Sequence, residues 1–420
     1  MYKTKLSSFI SEYGDGIHGT PIYSDDGEYF FINGNNLEKG IIVIDEDTLK
    51  IDYEQFRKIS RPLNDRTVLL SINGTLGNTA FYRGENVALG KSACYINIKS
   101  EYSKEFFRYI LTTKEFQKYM LRVAHGSTIK NFAPSQVGEY EVELPDIEEH
   151  ENIAKLLSSI DDKIFNNNLI CDDLEGMAKL LYDYWFVQFD FPDENGKPYK
   201  SSGGKMVWNE ELKREIPDGW KVKPLSKVLC LLRDGTHNPP KRIDSGIPLL
   251  TGTMFGDYFL DYSQATYITE DDYYTIHKQY KPNAGDIVIT KIGTLGNVNY
   301  LRDKDIPIAI HCNSALLRFP DDYCGMFAFQ YCKSKEFFAR LKAAKGQSVQ
   351  EFCSLDSIGS ILMLVPDHKL TARYNDNMKS VLNQMINTQS ENQELASLRD
   401  FLLPMLMNGQ VKVKKEDDNE

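Results

Sequence analysis

Apolar residues recur at alternating steps of three and four along two stretches of the chain, and this spacing predicts two long helices. The positions predicted to pair one helix with the other are Leu157, Ile160, Ile164, Leu174, Leu181, Met378, Val381, Met385, Leu395 and Leu402. Such a seam over about three heptads is typical of a coiled coil, although polar Asn167, Thr388 and Asn392 weaken it. Each helix would run for about 30–35 residues, or about 50 Å. The alternative is an ordinary amphipathic helix that packs on its own domain.

Two short β-branched and leucine-rich runs, Thr67–Ser71 and Asp286–Thr290, predict buried strands. Each run leads into a Gly-Thr-Leu-Gly-Asn turn, at 74–78 and at 293–297. Glycine suits a turn that needs positive φ. A short helix is expected over Ser103–Leu121, and its counterpart over Gly325–Leu341.

These elements occur twice in the same order. Asp15-Gly16-Ile17-His18 returns as Asp234-Gly235-Thr236-His237, and the turn returns at the same offset of 219 residues. Leu144-Pro145-Asp146 returns as Val365-Pro366-Asp367, where the offset has drifted to 221. A chain that duplicates a whole unit usually binds something with two related halves.

The pattern predicts an α+β protein with two β-rich globular domains, separated by two long helices that form an antiparallel coiled coil. The two copies predict an internal pseudo-two-fold repeat. The predicted boundaries are 1–147 for the first domain, 148–190 for a central helix, 191–216 for a loop-like linker, 217–367 for the second domain, 368–410 for a distal helix and 411–420 for a flexible tail.

The composition limits the class of protein. A chain of 420 residues with 41% hydrophobic residues is long enough for two packed domains. It has no apolar run long enough to cross a membrane, and its first residues lack an apolar signal core, so a cytoplasmic protein is expected. Seven scattered cysteines without a Cys-x-x-Cys pair predict reduced, packed thiols and neither a disulfide framework nor a zinc site.

Four segments resemble the specificity subunits of type I restriction–modification systems. They are Pro217-Asp218-Gly219-Trp220 followed by Leu225-Ser226, the strand-to-Gly-Thr-Leu-Gly-Asn segments, Leu180-Leu181-Tyr182-Asp183-Tyr184-Trp185-Phe186-Val187 with the linker after it, and Leu398-Arg399-Asp400-Phe401-Leu402-Leu403-Pro404-Met405-Leu406. The resemblance covers essentially the whole chain. One departure is that the first copy begins directly at Lys5-Leu6-Ser7, without the Pro-x-Gly-Trp entry of the second.

The resemblance implies a protein without catalytic activity of its own. Each globular domain would be a target-recognition domain that reads one half of a bipartite site in double-stranded DNA. The helices would set the gap between the half-sites and dock two modification (methyltransferase) subunits, which restriction subunits would join. S-adenosylmethionine, Mg and ATP would then belong to the partner subunits. The net charge of −11 suggests that much of the phosphate contact comes from those partners, because tight DNA binders are usually basic.

The candidate DNA contacts lie in the repeated polar loops. They are His18, Thr75, Asn78, Lys91, Lys130, His237, Lys241, Arg242, Lys291, Thr294, Asn297 and Gln347. Each has a plainer interpretation. The glycine turns can be purely structural, the histidines can bond within their loops, and a charged pair such as Lys241-Arg242 can simply be solvated.

Two motifs imitate catalytic sites. Asn238-Pro239-Pro240-Lys241 resembles the base-gripping motif of adenine methyltransferases, but lysine replaces the aromatic residue that stacks on the base. Pro145-Asp146 followed by Asp161-Asp162-Lys163 imitates a metal-dependent nuclease, although the last three fall within the helical seam.

A DNA-specificity subunit is therefore the favoured hypothesis. The alternatives are a coiled-coil scaffold for protein partners and a fused adenine methyltransferase.

Overall fold

The chain divides into two units: unit 1 comprises Met1–Phe165 and Asn392–Glu420, and unit 2 comprises Asn166–Glu391. The computed structural model describes residues 1–38, 40–126, 130–238, 240–321, 323–344 and 352–414. Helices and strands are mixed in both units, as an α+β fold requires.

Unit 1 begins with the amino-terminal strands and helices. Its elements are β1 (Tyr2–Lys5), β2 (Ile10–Asp15), β3 (Tyr29–Ile32), β4 (Leu37–Glu38), β5 (Ile41–Ile42), β6 (Lys50–Ile51), α1 (Tyr53–Ile59), β7 (Thr67–Ser71), β8 (Thr79–Phe81), β9 (Val87–Leu89), β10 (Ala93–Ile98), α2 (Lys104–Thr112), α3 (Lys114–Val123), α4 (Ser135–Glu139), β11 (Glu141–Leu144) and the start of α5 (Ile147–Tyr182). The main sheet has the order β2-β10-β7-β8, and a second sheet has the order β6-β3-β9.

Unit 2 follows after the middle of α5. Its elements are β12 (Met206–Asn209), β13 (Arg214–Pro217), β14 (Lys221–Pro224), β15 (Leu231–Asp234), β16 (Ile247–Leu250), β17 (Thr266–Ile268), α6 (Glu270–Ile276), β18 (Ile287–Thr290), β19 (Val298–Tyr300), β20 (Ala309–Ile310), β21 (Ser314–Arg318), α7 (Met326–Lys333), α8 (Lys335–Ala343), α9 (Leu355–Ser360), β22 (Leu362–Val365) and most of α10 (His368–Met407). Its main sheet has the order β15-β21-β18-β19, with the second sheet β17-β16-β20 beside it.

The predicted strand Thr67–Ser71 is β7, and all five of its residues are buried. Successive side chains of a strand face opposite sides of the sheet. Val68 and Leu70 accordingly pack in one apolar cluster with α2 and α3, while Leu69 packs in another with the second sheet. The strand is therefore covered on both faces, which explains why its residues are apolar without alternation.

Each expected short helix is in fact two helices. Thr113 separates α2 from α3 in an extended conformation, and its hydroxyl oxygen accepts a hydrogen bond from Phe116 N. Ser334 does the same between α7 and α8, where it accepts from Phe337 N. A hydroxyl at the N-cap favours a new helix start over continuation, which corrects the expectation of one helix.

The linker predicted over 191–216 is not entirely loop. Strands β12 and β13 form an antiparallel hairpin inside it, with Trp208 opposite Glu215. The ring of Phe191, ahead of the hairpin, stacks on those of Tyr199 and of Trp220, which follows the hairpin, with the Phe191 and Trp220 centroids 5.3 Å apart. This aromatic stack orders a segment whose glycines and prolines predicted a loop.

The two predicted long helices are α5 and α10, which span 36 and 40 residues. In unit 1, Leu157 of α5 packs in one core cluster with Leu403 and Leu406 of α10. In unit 2, Tyr374 of α10 donates a hydrogen bond to the Ala178 carbonyl of α5 at 2.7 Å. The helices therefore contact each other within unit 1 and within unit 2. In each unit, both helices also contribute buried residues to the core.

Candidate nucleic-acid interface

In unit 1, the Asp-Gly-x-His motif lies where β2 ends and the chain meets the segment after β9. Ile17 N donates to the Leu89 carbonyl at 2.9 Å, and Ile17 pairs with Gly90 in a parallel bridge. A Cβ on Gly16 would overlap the Leu89 carbonyl, so only glycine allows this approach. The pairing brings His18 to the same edge of the unit as Lys91.

His18 is exposed at this edge and is held by the aspartate of its own motif. Its Nε2 lies 2.8 Å from Asp15 Oδ2, and 75% of its side chain is accessible. Lys91 is exposed as well. These side chains can therefore meet a large partner without any rearrangement of the fold.

The glycine turn of unit 1 lies beside the same edge. Gly74 and Gly77 have φ of 74° and 91°, which side-chain-bearing residues rarely adopt. The Ser71 hydroxyl donates to the Thr75 carbonyl, and Gly77 N donates to the Ser71 carbonyl at 2.9 Å. The turn is thus internally bonded, with Thr75 exposed and Asn78 half-buried at its base.

A further polar segment, which sequence reasoning identified only through Lys130, completes the edge. Gly74 N donates to the Lys130 carbonyl at 3.3 Å, and Asn73 Nδ2 donates to Asn131 Oδ1 at 3.3 Å. Asn73 and Asn131 were missed because no local pattern marks an amide pair 58 residues apart. Backbone hydrogen bonds therefore join the segments that carry His18, Thr75, Lys91 and Lys130 at one edge of unit 1, which we call the polar edge.

Unit 2 repeats this hydrogen-bonded frame. Thr236 N donates to the Ile310 carbonyl at 3.0 Å, and a Cβ on Gly235 would overlap that carbonyl. His237 Nε2 lies 3.1 Å from Asp234 Oδ2, with 71% of the histidine side chain accessible. The glycine turn closes in the same way, since Gly296 N donates to the Thr290 carbonyl at 2.9 Å.

Lys291 differs from the other candidates of unit 2 because its side chain is only 3% exposed. Its Nζ lies 3.2 Å from Asp234 Oδ2 and 5.2 Å from the centroid of the Phe352 ring. Its charge is therefore neutralised within the unit. This burial and pairing argue against a direct contact between Lys291 and DNA.

The remaining candidates of unit 2 are exposed. Thr294, Asn297, Lys241 and Arg242 all lie on the surface. Gln347 lies outside the described residues.

His311, which is half-buried, lies near these candidates although no sequence pattern singles it out. Burial, together with the positive charges of Arg242 and His237, holds the pKa of His311 below its ordinary value. Its Nδ1 accepts a hydrogen bond from Asn313 N at 3.2 Å. His311 therefore lies close enough to Arg242 for the positive charge of that residue to disfavour protonation of the ring.

The ten predicted helix-pairing positions are all at least partly buried. Leu157, Ile160, Met378, Val381 and Met385 are buried, and Ile164, Leu174, Leu181, Leu395 and Leu402 are half-buried. The polar seam residue Asn167 is also buried, and its Nδ2 donates to Glu391 Oε2 at 2.7 Å.

One residue of the nuclease-like motif, Asp161, is committed to structural contacts. Asp161 accepts hydrogen bonds from Arg108 at 2.6 Å, Tyr109 at 2.7 Å and Arg399 at 2.8 Å. Among the described residues, no group of three or more His, Cys, Asp and Glu side chains is placed to hold a metal ion. No described helix is long and apolar enough to cross a membrane.

Comparison with known proteins gives a consistent result. A family model described as "Type I restriction modification DNA specificity domain" matches residues 20–175. The type I restriction enzyme MjaIX specificity subunit of Methanocaldococcus jannaschii is 24% identical over 364 residues, which cover 83% of this chain and 78% of that protein. The type I restriction enzyme HindI specificity subunit of Haemophilus influenzae is 22% identical over 362 residues. The matched segment covers 73% of this chain and 77% of that protein.

A solved structure shares the fold. The crystal structure of a type I restriction–modification system S subunit from M. genitalium matches with a TM-score of 0.51 at 19% identity. The match covers 97% of this chain and 96% of that one. These findings agree with the resemblance seen in the motifs: residues 20–175 match a type I restriction modification DNA specificity domain, and most of the chain is similar to the specificity subunits of type I restriction enzymes.

Proposed function

We propose that each unit of this non-catalytic subunit reads one half of a bipartite site in double-stranded DNA. The observation that carries this proposal is the polar edge that occurs in both units on the same hydrogen-bonded frame. Each edge combines an Asp-Gly-x-His motif, a rigid glycine turn and exposed hydrogen-bonding or cationic side chains. Such side chains can contact phosphates and base edges, and their differences between the units suit two different half-sites.

We also propose that α5 and α10 form an antiparallel coiled coil that relates two pseudo-equivalent target-recognition domains. The domains would be residues 1–147 and 217–367, with the central helix, linker and distal helix between and after them. Helix contacts within each unit support the pairing, and the equal strand order of the two main sheets supports the repeat. A paired helix of this length would act as a spacer that sets the gap between the half-sites.

Modification subunits are the proposed partners of the helices. The repeat suits two copies of them, and restriction subunits would join the complex. The part of α5 that lies in unit 2 supports this assignment. Its surface carries large apolar side chains that are 40–71% exposed, namely Leu169, Ile170, Met177 and Leu180. An apolar helix face of this kind is typical of a protein interface. S-adenosylmethionine, Mg and ATP would be bound by those partners.

The net charge of −11 fits this division of roles. A DNA reader with an excess of carboxylates gains little from phosphate neutralisation when it acts alone. We therefore expect weak binding by the isolated chain and tight, salt-sensitive binding by the complex with modification subunits.

The test is to co-express the chain with its modification subunit and to map methylated adenines across the host DNA. A new split motif with an unspecified gap is expected. If a properly assembled complex adds no methylation, the scaffold function would be favoured, because such a protein binds partners without reading DNA. Binding of S-adenosylmethionine by the isolated chain would instead favour the adenine methyltransferase.

A further inference from the structure

Two surface loops occupy equivalent positions in the frames of the two units. Loop A comprises residues 18–23 of unit 1. It starts after Ile17, whose N donates to the Leu89 carbonyl at 2.9 Å, and it ends before Ser24, whose N donates to the Lys50 carbonyl at 2.9 Å. Both ends of loop A are therefore tied to the second sheet of unit 1.

Loop B comprises the described residues 237, 238 and 240–242 of unit 2 and has the same two anchors. Thr236 N donates to the Ile310 carbonyl at 3.0 Å, and Ile243 N donates to the Tyr267 carbonyl at 2.9 Å. The two loops are thus held by equivalent backbone bonds at both ends. The two side chains before the second anchor of loop A therefore correspond to the two before the second anchor of loop B.

The side chains at the last two places of the loops differ in chemistry. Loop A presents Ile22 and Tyr23, whereas loop B presents Lys241 and Arg242. Ile22 is 69% exposed, more than any other large apolar side chain described in unit 1. Tyr23 is 41% exposed, and its ring meets the buried ring of Phe31 edge to face at 5.9 Å.

The charges around the loops follow the same division. Loop A has no lysine or arginine and is followed by two exposed carboxylates, Asp25 and Asp26, whereas loop B is followed by one, Asp244. Carboxylates disfavour close contact with phosphate. Loop B holds two exposed cations and lies close enough to His311 for the charge of Arg242 to affect that ring. Loop A is therefore suited to apolar contact, and loop B to contact with electronegative groups.

We infer that loops A and B determine the sequence preference of their units, with loop A selecting thymine and loop B selecting guanine. This inference rests on the proposed DNA-reading function. The C5 methyl of thymine is the apolar group that a base pair offers in the major groove, and it suits Ile22. Guanine offers O6 and N7 to the forked guanidinium of Arg242, while Lys241 suits an adjacent phosphate.

The main test exchanges the two pairs within the complex of the full chain and its modification subunits. One variant carries Ile22→Lys and Tyr23→Arg, and a second carries Lys241→Ile and Arg242→Tyr. The methylated motif of each is compared with that of the unaltered complex. We expect the half-site read by the altered unit to change, while the other half-site persists and shows that the protein is folded.

Single substitutions keep the test informative if an exchanged loop does not fold. Ile22→Ala should lower the preference for thymine in one half-site roughly fivefold, whereas Leu121→Ala, at another exposed apolar side chain of unit 1, should leave it unchanged. Arg242→Lys keeps the charge but loses the forked geometry, and it should lower the preference for guanine roughly tenfold.

A wrong assignment of the loops and a wrong proposed function would give different results. If the unaltered complex methylates a split motif and every loop variant keeps that motif unchanged, the inference about the loops is wrong and the proposed function stands. If the unaltered complex reads no split motif, the proposed function itself is wrong.

Discussion

Asp161 and Arg399 form an ion pair that joins α5 to α10 in unit 1, with Oδ1 and Nη1 2.8 Å apart. The other carboxylate oxygen of Asp161 accepts from Arg108 and Tyr109, so one carboxylate connects three helices. Burial alone would raise the pKa of Asp161, but its cationic and hydroxyl partners outweigh burial and hold that pKa below its ordinary value. The contact fixes the helices of unit 1 in one register.

We predict that Asp161→Asn destabilises unit 1 by about 3 kcal/mol, because two partly buried guanidinium groups lose their counter-charge. The measurement is the free energy of unfolding by urea. Asp162→Asn is the matched control, since Asp162 is the next residue and is exposed. Equal effects of the two substitutions would contradict the proposed role of the pair.

A second prediction concerns the two glycines of the unit 1 turn. Both have positive φ, but a Cβ on Gly74 would meet open space, whereas one on Gly77 would overlap the side-chain amide of Gln117. Gly74→Ala should therefore cost about 1 kcal/mol of stability and Gly77→Ala clearly more.

Combining Gly77→Ala with Gln117→Ala should recover part of the loss. The recovery is limited because Gln117 Nε2 also donates to the Gly77 and Leu111 carbonyls, at 3.2 and 2.7 Å. A double-mutant cycle measured by thermal unfolding checks this coupling. Strictly additive effects would show that the turn and α3 are independent.

The third prediction is a pH dependence that originates in His277 of unit 2. Burial lowers the pKa of His277 to about 4. The unfolded chain, with a histidine pKa near 6.5, binds more protons between these values, so stability is fully present above pH 6.5 and falls toward pH 4. The loss attributable to this residue reaches about 3 kcal/mol.

The thermal midpoint at pH 7.5 and at pH 5 measures this effect. His277→Gln, which can still accept from Ile310 N, should reduce the drop between the two pH values. The control is His18→Gln, an exposed histidine, which should leave the drop as it is in the unaltered protein. A drop that His277→Gln does not change would rule out this origin.

The salt dependence of DNA binding should distinguish the exposed cation Lys241 of unit 2 from Lys291, whose charge is neutralised within the unit. Lys241→Ala should lower the slope of log affinity against log salt by about 1 for the assembled complex on its DNA site. Lys291→Met should leave the slope unchanged, because the Lys291 charge is already paired with Asp234. Equal slopes for both variants would contradict the assignment of Lys241 to phosphate contact.

The last prediction concerns partner docking on α5. Leu180 is 71% exposed, and Leu180→Asp should reduce co-purification of the modification subunit by at least tenfold, because a charge would enter an apolar interface. Leu121→Asp places the same charge at an exposed site on α3 and should leave co-purification intact. Retention of the partner by Leu180→Asp would place the docking surface elsewhere.

Much of the architecture could be predicted because repetition makes weak local patterns stronger. Single apolar runs are ambiguous between strand and helix. The offset of 219 residues between the two Gly-Thr-Leu-Gly-Asn turns resolved that ambiguity for Thr67–Ser71 and its counterpart. The buried strands β7 and β18 lie where the runs predicted them.

The parts that could not be predicted depend on contacts between distant residues. The hydroxyls of Thr113 and Ser334 divide each expected helix in two, although the apolar spacing continues across them. The burial of Lys291 depends on Asp234, 57 positions earlier, and the amide pair of Asn73 and Asn131 depends on a bridge across the fold. Local periodicity carries no information about such pairings.

The division of the chain has a consequence for how the protein is made. Leu403, Leu406 and Met407 belong to the core cluster of unit 1, whose other members come from residues 6–157. The ribosome therefore synthesises the strands of unit 1 first but supplies the last pieces of its core only when α10 is complete. Unit 2, formed from the continuous segment 166–391, can close earlier. The domain that is translated first is thus the last to finish folding, and until then its exposed core needs protection from aggregation.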